Sequence, residues 1–249
     1  MKFRLINSGY NTPAMNMAID EALLTSKEPV LRFYQWEPAG LSIGYFQSAK
    51  EINLDNLKDI QLVRRLTGGN AVLHENELTY SFIIDEKEMP SSVIESYRII
   101  SQGLLEGLKL LGLNPTMNKV VEKQQKSAIC FHDPSWYEIL VDGKKIIGSA
   151  QKRTKGKVLQ HGAILLDINT DKYASLFKKY NPKLALKLKQ RITCINDIKP
   201  VSYVELQEAM QKGFSKHFEL TNSELTVEEL ALAKELEKKY LSEEWNFKV

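Results

Sequence analysis

The sequence has 249 residues, of which 43% are hydrophobic and 26% charged, as in an ordinary globular protein with a substantial core. A formal net charge of +3, without a long lysine and arginine block, argues against a nucleic-acid partner. The two cysteines, Cys130 and Cys194, fit neither a disulfide framework nor a metal site, and no apolar run or signal peptide directs the chain to a membrane. We therefore expect a cytoplasmic protein without a bound metal.

The first half of the chain predicts a helix, several strands and a long second helix. Asn11-Thr12-Pro13 supplies a cap and a proline for the first helix. The longest helix is predicted over 92–111, because apolar residues from Val93 to Leu111 recur on one face. Strands are predicted at 30–34, 41–46, 61–65 and 78–84, with a short helix near 54–58.

The second half predicts strands followed by helices. Asp142-Gly143 marks a hairpin between two strands, and another strand is predicted over 158–166. Helices are predicted near 172–178, 203–217 and 227–240. Successive strands joined by hairpins favour an α+β domain, with mixed and largely antiparallel sheets flanked by helices, over a doubly wound fold. The helical region after about residue 200 either packs on that sheet or forms a small lobe.

Cys130 lies in a segment that reads as a loop, close to His132 and Pro134. The hairpin that follows returns Lys144 and Lys145 toward this segment, and a nearby ammonium favours a thiolate nucleophile. A lone cysteine is more often a small buried apolar residue, and the polar surroundings favour the reactive interpretation only at Cys130. Cys194 lies in an alternating apolar segment and is expected to be structural.

Arg64-Arg65-Leu66-Thr67-Gly68-Gly69 is the second segment with chemical potential. Two glycines allow the backbone to approach a ligand, and consecutive N–H groups in such a turn can bind an anion or a carbonyl oxygen. The simpler interpretation is a tight turn with its arginines facing solvent. His74, His132 and His161 are candidates for proton transfer, although a buried structural role is equally consistent with His74 and His161.

These segments together resemble the superfamily of lipoate ligases, octanoyltransferases and biotin ligases. The cysteine segment is most similar to LipM-type octanoyltransferases. The resemblance runs from residues 16–22 to residues 243–246, so it covers nearly the whole chain and implies a single catalytic domain over 1–249. The segments that carry it are Arg64–His74, Cys130–Glu138, Gly143–Gln151 and Leu159–Gly162.

The resemblance implies acyl transfer in two steps without a cofactor. Cys130 would attack the thioester of octanoyl-acyl carrier protein, and a lysine amine on a lipoyl-type domain would then accept the octanoyl group. Glycine-cleavage H protein is the acceptor that the resemblance favours. Lys145 matches a lysine common to the superfamily and would stabilise the thiolate or the developing oxyanion. Lys144, its neighbour on an alternating strand, should point the other way.

The resemblance also implies a set of substrate-binding residues. Gly68 and Gly69 are expected to line an acyl tunnel. Arg64 and Arg65 are expected to contribute to a positive surface that attracts both acidic protein partners. The full set is Arg64, Arg65, Thr67, Gly68, Gly69, His74, Gly148, Ser149, His161 and Gly162.

Three alternatives remain open at this point. An ATP-dependent lipoate–protein ligase would use Lys145 and the Gly68-Gly69 turn to hold an acyl-adenylate, with ATP and Mg²⁺ as cofactors. An amidotransferase between lipoyl domains would also use a cysteine thioester and would differ only in its donor. A catalytically silent lipoyl-domain binding module would need neither Cys130 nor Lys145, and the presence of both argues against it.

Overall fold

The computed structural model describes residues 1–117 and 138–248. The helices are α1 (Pro13–Ala22), α2 (Val93–Leu110), α3 (Thr170–Ser175), α4 (Pro182–Arg191), α5 (Tyr203–Ser215), α6 (Val227–Leu241) and α7 (Glu243–Asn246). The strands are β1 (Lys2–Asn11), β2 (Val30–Trp36), β3 (Gly40–Ile43), β4 (Gln61–Arg64), β5 (Val72–His74), β6 (Glu77–Asp85), β7 (Pro115–Met117), β8 (Ile139–Val141), β9 (Lys144–Thr154), β10 (Lys157–Leu165) and β11 (Glu219–Ser223).

The strands form a large sheet of eight, in the order β11-β1-β2-β6-β10-β9-β8-β7, and a small sheet of three, in the order β4-β3-β5. In the large sheet, every neighbouring pair along the order β2-β6-β10-β9-β8-β7 is antiparallel, and β1 is parallel to both of its neighbours. In the small sheet, β3 is parallel to β4. The sheets are thus mixed and largely antiparallel, and the predicted α+β class is confirmed.

Helices cover both faces of the large sheet because successive side chains of a strand point to opposite faces. On β2, Leu31 and Phe33 belong to the apolar cluster shared with α2 and α5. Val30 and Trp36 belong to the cluster shared with α1 and α6. A third cluster packs the small sheet against α3 and α4. No helix in the described ranges is long and apolar enough to cross a bilayer.

The predicted hairpin after residue 138 is confirmed, since Asp142 and Gly143 both adopt positive φ between β8 and β9, as a type I′ turn requires. The first helix begins where predicted, with the Thr12 side chain capping it. The region after residue 200 packs on the large sheet through α5 and against α1 and β4 through α6, and it also contributes a strand, β11, to the edge of the large sheet.

Several elements differ from the prediction. The apolar face of α2 begins later than expected, because Val93 is 48% exposed and the buried positions start at Ser96. The sequence interpretation missed β1, β7, β11, α4 and α7. The predicted short helix near 54–58 is a single 3₁₀ turn over Leu54–Asn56. The predicted strand ending at Phe46 stops at Ile43, because the chain then turns toward the Gly68-Gly69 loop.

Candidate active site

A pocket lies between the two sheets. Six predicted substrate-binding residues line it: Arg65, His74, Gly148, Ser149, His161 and Gly162. Apolar and aromatic side chains that the sequence did not point to complete the wall, notably Met17, Tyr34, Trp36 and Val72. This mostly apolar lining with a few polar groups is typical of a site for a small organic ligand.

Gly162 lies where three strands at the pocket wall approach each other closely. A Cβ atom at Gly162 would lie 2.5 Å from the carbonyl oxygen of Gly148 and 2.8 Å from the ring of Tyr80. A side chain therefore does not fit where β9, β10 and β6 approach each other. Tyr80 Oη and Ser149 Oγ are 2.7 Å apart, so a polar contact closes the neighbouring part of the wall.

His161 is held in one orientation by a buried network. Its Nδ1 lies 3.1 Å from Asp20 Oδ2, and its Nε2 lies 2.7 Å from Thr67 Oγ1. Burial alone would raise the pKa of Asp20, but the hydrogen bond with His161 and the charge of Arg32, 2.8 Å away, outweigh it and lower the pKa. In the neutral tautomer that donates from Nδ1 to Asp20, Nε2 accepts from the Thr67 hydroxyl. The order carboxylate, imidazole, hydroxyl matches that of a hydrolase triad, but Thr67 is fully buried, so it positions the loop.

Arg65 fixes the loop that follows Thr67. Its guanidinium donates to the carbonyl oxygens of Gly68 and Asn70, at 2.7 and 2.8 Å, and to that of Ser42 at 3.1 Å. Arg65 is only 4% exposed and faces the pocket. Gly68 and Gly69 are not among the described residues that line this pocket, so their place in an acyl tunnel stays a prediction.

Arg64 points away from the pocket and is fully buried. Its guanidinium donates to three carbonyl oxygens of the segment 44–47 and to those of Trp245 and Asn246. The indole N–H of Trp245 donates in return to the Arg64 carbonyl at 2.8 Å. The expectation that Arg64 and Arg65 give a positive surface for acidic partners is therefore wrong, because backbone carbonyls inside the protein surround both guanidinium groups.

His74 closes one end of the pocket as part of another buried cluster. Its ring stacks on Trp36 with the centroids 3.9 Å apart, its Nε2 lies 2.9 Å from Ser42 Oγ, and its Nδ1 lies 3.0 Å from Glu77 Oε1. Burial, helped by the charge of Arg65, lowers the pKa of His74 well below its ordinary value. Burial also raises the pKa of Glu77 to about 8. Both groups are therefore neutral in the lower part of the physiological range.

Lys145 lies three residues before the pocket wall on β9. Its ammonium is 2.5 Å from Glu138 Oε1, and both side chains are almost completely buried. Lys144 is exposed, which confirms the predicted alternation of these two lysines. Glu138, the first described residue before the hairpin, neutralises Lys145 and holds its ammonium in place.

Cys130 and His132 lie outside the described residues. Cys194 is 1% exposed, with its sulfur 4.0 Å from Asp167 Oδ1, and burial raises the pKa of its thiol to about 11. A thiol that stays protonated at neutral pH is a poor nucleophile. The predicted structural character of Cys194 is confirmed by its burial. Within 1–117 and 138–248, no three side chains of histidine, cysteine, aspartate or glutamate converge as metal ligands would.

Sequence reasoning missed four residues that shape the site: Trp36, Asp20, Glu77 and Glu138. Asp20 carried a readable signal, because a carboxylate among the apolar residues of α1 needs a buried partner. Trp36 and Glu77 gave no such signal, since their partners come from other strands. Glu138 was quoted within the cysteine segment without a role, although an acid and a lysine that flank a hairpin can meet across it.

The comparison with known proteins now decides the family. The protein-family model described as lipoyl protein ligase A/B catalytic domain matches residues 12–215. Octanoyltransferase LipM of Staphylococcus aureus is 48% identical over 99% of this chain and 98% of its own length. The chain belongs to the LipM octanoyltransferase family. The LipM protein of Bacillus subtilis, 45% identical over the same shares, supports this. The family resemblance seen in the sequence is confirmed, and the chain is an acyltransferase.

Solved structures similar to this LipM family member include lipoate ligases. Lipoate-protein ligase A bound with ATP is 30% identical, with 99% of both chains covered and a TM-score of 0.84. A bi-partite lipoate protein ligase from Thermoplasma acidophilum is 29% identical, covers 99% of this chain and 96% of its own, and has a TM-score of 0.85. The LipM family and these ligases thus share one catalytic fold, as the sequence predicted.

Proposed function

We propose that this octanoyltransferase of lipoate biosynthesis takes its acyl group from octanoyl-acyl carrier protein and holds it as a thioester on Cys130. The group then passes to a lysine of a lipoyl domain, with glycine-cleavage H protein as the preferred acceptor. The reaction takes place in the cytoplasm and needs neither ATP nor a metal. The observation that carries the proposal is the buried Lys145 on β9, the strand that continues directly into the wall of a mostly apolar pocket.

In the first step the Cys130 thiolate attacks the carbonyl carbon of the donor thioester. The bond from that carbon to the carrier's sulfur breaks, and the carrier leaves as a free thiol after taking up a proton. One thioester replaces another, so no external energy source is required. The ammonium of Lys145 supplies positive charge for the thiolate and for the oxygen that becomes negative during attack.

In the second step the neutral amine of the acceptor lysine attacks the octanoyl–Cys130 thioester. A carbon–nitrogen bond forms, the carbon–sulfur bond breaks, and the amine loses a proton as the Cys130 thiolate is regenerated. An amide is more stable than a thioester, so this step drives the transfer to completion. Both steps pass through an oxyanion of the same carbonyl group, and Lys145 acts in both.

The apolar wall of the pocket supports an acyl substrate. Met17, Trp36 and Val72 offer hydrocarbon and ring surface, and each buried CH₂ group contributes about 0.8 kcal/mol. This is enough to position an eight-carbon chain, but it separates neighbouring chain lengths only weakly.

The proposal is tested by supplying acyl donors separately to the purified protein, with H protein as the acceptor. We expect octanoyl-H protein to form from octanoyl-acyl carrier protein without ATP, and to form little from octanoate with ATP and Mg²⁺. Cys130→Ser should abolish the reaction, whereas Cys194→Ser should retain most of it. A requirement for ATP and free octanoate would identify a ligase. Transfer only from an octanoylated lipoyl domain would identify an amidotransferase.

A further inference from the structure

The segment that follows β3, the end of β9 and the C-terminal segment form a partly exposed surface that combines lysines with aromatic rings. Lys248 Nζ lies 3.4 Å from the ring centroid of Trp245 and 3.7 Å from that of Tyr45. Lys152 Nζ lies 4.4 Å from the Tyr45 centroid on the same surface. We call this the basic–aromatic surface, and it consists of Tyr45, Phe46, Lys152, Trp245 and Lys248.

Phe46 is the most exposed aromatic residue of this surface. Its side chain is 79% exposed, and it makes an edge contact with Tyr45 at a centroid distance of 4.8 Å. An exposed phenylalanine ring offers apolar area that a bound partner would remove from water. An apolar anchor surrounded by positive charge is the arrangement expected where a protein with an apolar side chain among carboxylates docks.

Positive charge is concentrated here. Lys152 and Lys248 take part in none of the ion pairs found between described residues, whereas Lys239, which lies 3.9 Å from the Trp245 centroid, is paired with Glu21. Desolvation, followed by the charges of Arg64, Lys239 and Lys152, lowers the pKa of Lys248 to about 8. Cations that destabilise one another in this way gain most from an incoming anionic partner.

The basic–aromatic surface adjoins the acyl pocket along two elements. Lys152 is two residues beyond Ala150 on β9, so both side chains are on one face of the strand, and Ala150 lines the pocket. The Tyr45 backbone N–H donates to the Thr67 carbonyl at 2.9 Å, beside the loop that Arg65 fixes. A protein bound on this surface would stand next to the pocket.

We propose that the basic–aromatic surface docks the acyl donor as a protein, an acidic acyl carrier whose carboxylates pair with Lys152 and Lys248 while an apolar side chain covers Phe46. This deepens the proposed function and rests on it. The acceptor is the less suitable occupant, because it must deliver a lysine amine, and ammonium groups at the pocket entrance repel that cation. A thioester donor brings no positive charge.

The test measures the second-order rate constant of protein acylation by three octanoyl donors. These are the octanoylated carrier protein, octanoyl-coenzyme A, which carries phosphates but no protein, and octanoyl-N-acetylcysteamine, which carries neither. The variants are Lys152→Glu with Lys248→Glu, and Phe46→Ser, whose exposed position makes misfolding no concern. Lys187→Glu, at an exposed lysine of α4, is a charge-reversal control away from this surface.

We expect the charge-reversal pair to lower the rate constant for the carrier protein at least about tenfold and to leave that for octanoyl-N-acetylcysteamine unchanged. Phe46→Ser should lower only the carrier rate, and Lys187→Glu should change neither. Raising salt from 0.1 to 1 M shortens the Debye length from about 10 to about 3 Å, so it should slow the carrier reaction of the unmodified protein more than that of the variant.

Other outcomes overturn the inference in distinguishable ways. Unchanged carrier rates in both variants would remove the docking surface and leave the proposed function intact. An equal loss with octanoyl-coenzyme A would mean that the lysines recognise phosphate, and a loss only in transfer to the acceptor would assign the surface to the acceptor. If the unmodified protein is acylated only with octanoate and ATP, the proposed function fails and the inference fails with it.

Discussion

Lys145 forms a buried ion pair with Glu138, and in the proposed mechanism it also supplies positive charge for acyl transfer. From the sequence alone, Lys145→Ala should cut turnover far more than it weakens folding. The ion pair changes this expectation, since removing one partner of a buried pair costs about 3–5 kcal/mol. We therefore expect Lys145→Ala to lower both the free energy of unfolding and kcat, the latter by about 10²–10³.

A double variant separates these two effects. Lys145→Met with Glu138→Gln removes both charges at once, so denaturant unfolding should show a stability close to that of the unmodified protein. Its acyl transfer should remain as slow as in Lys145→Ala. Lys144→Ala, at the exposed neighbour, should match the unmodified protein in both measurements. Recovery of turnover in the double variant would show that Lys145 has only a structural role.

Glu77 should make stability depend on pH at one end of the pocket. Burial raises its pKa to about 8, so the folded state keeps a proton that the unfolded chain releases near pH 4.5. The stability that this proton gives is complete below pH 4.5 and is lost as pH rises to about 8. His74 has a lowered pKa and acts in the opposite sense, but only below its ordinary pKa of about 6.5.

Of the contributions that Glu77 and His74 make to the free energy of unfolding, only that of Glu77 therefore changes between pH 6.5 and 8. We expect the free energy of unfolding of the unmodified protein to fall in this window relative to that of Glu77→Gln, by at most about 2 kcal/mol. Urea unfolding at several pH values measures the difference between the two proteins. A constant difference from pH 6.5 to 8 would mean that Glu77 is already ionised in the folded state.

At the scale of elements, the turn after β3 and the Gly68-Gly69 loop depend on each other. A Cβ atom on Gly44 would lie 1.8 Å from the Gly69 carbonyl oxygen, whereas one on Gly68 would meet nothing within 4 Å. Gly44→Ala should therefore lower the free energy of unfolding by at least about 2 kcal/mol, and Gly68→Ala by less than about 1 kcal/mol. Thermal denaturation of both variants checks this, and equal losses would contradict the close approach.

The elements that the sequence predicted well are those whose signals are local. The hairpin at Asp142-Gly143 and the cap at Thr12 are set by residues next to each other in the chain. β1 was missed because its pattern of buried and exposed residues does not alternate, and its parallel partners come from distant segments. The α4 helix was readable, since Asn181 caps it and Pro182 occupies its first turn.

At the scale of the whole molecule, the site depends on contacts between distant segments. Arg64 looked like a surface charge because its partners are backbone carbonyls of 44–47 and of the C-terminal helix, which no sequence pattern identifies. Likewise, Trp36 joins His74 at the pocket only because the two sheets meet there. Six of the pocket-lining residues were predicted from the family resemblance, whereas the residues of the apolar wall were found only from tertiary contacts.

The distribution of charge over the molecule, and not its net charge, decides where acidic partners are expected to bind. The formal net charge is only +3, and Arg64 and Arg65 are buried, so overall charge does not guide binding. The basic–aromatic surface instead concentrates positive charge beside the pocket. Association with acidic proteins should therefore be sensitive to salt even though the net charge is small.

The central claim is that the octanoyl group passes through a thioester on Cys130, and the mass of the intact protein tests it directly. The protein is mixed with octanoyl-acyl carrier protein, without ATP and without an acceptor, and its mass is measured before and after hydroxylamine treatment. We expect a gain of one octanoyl group that hydroxylamine removes, that Cys130→Ser abolishes and that Cys194→Ser retains. An unmodified mass, an adduct on Cys194, or an adduct that persists in Cys130→Ser would contradict the account.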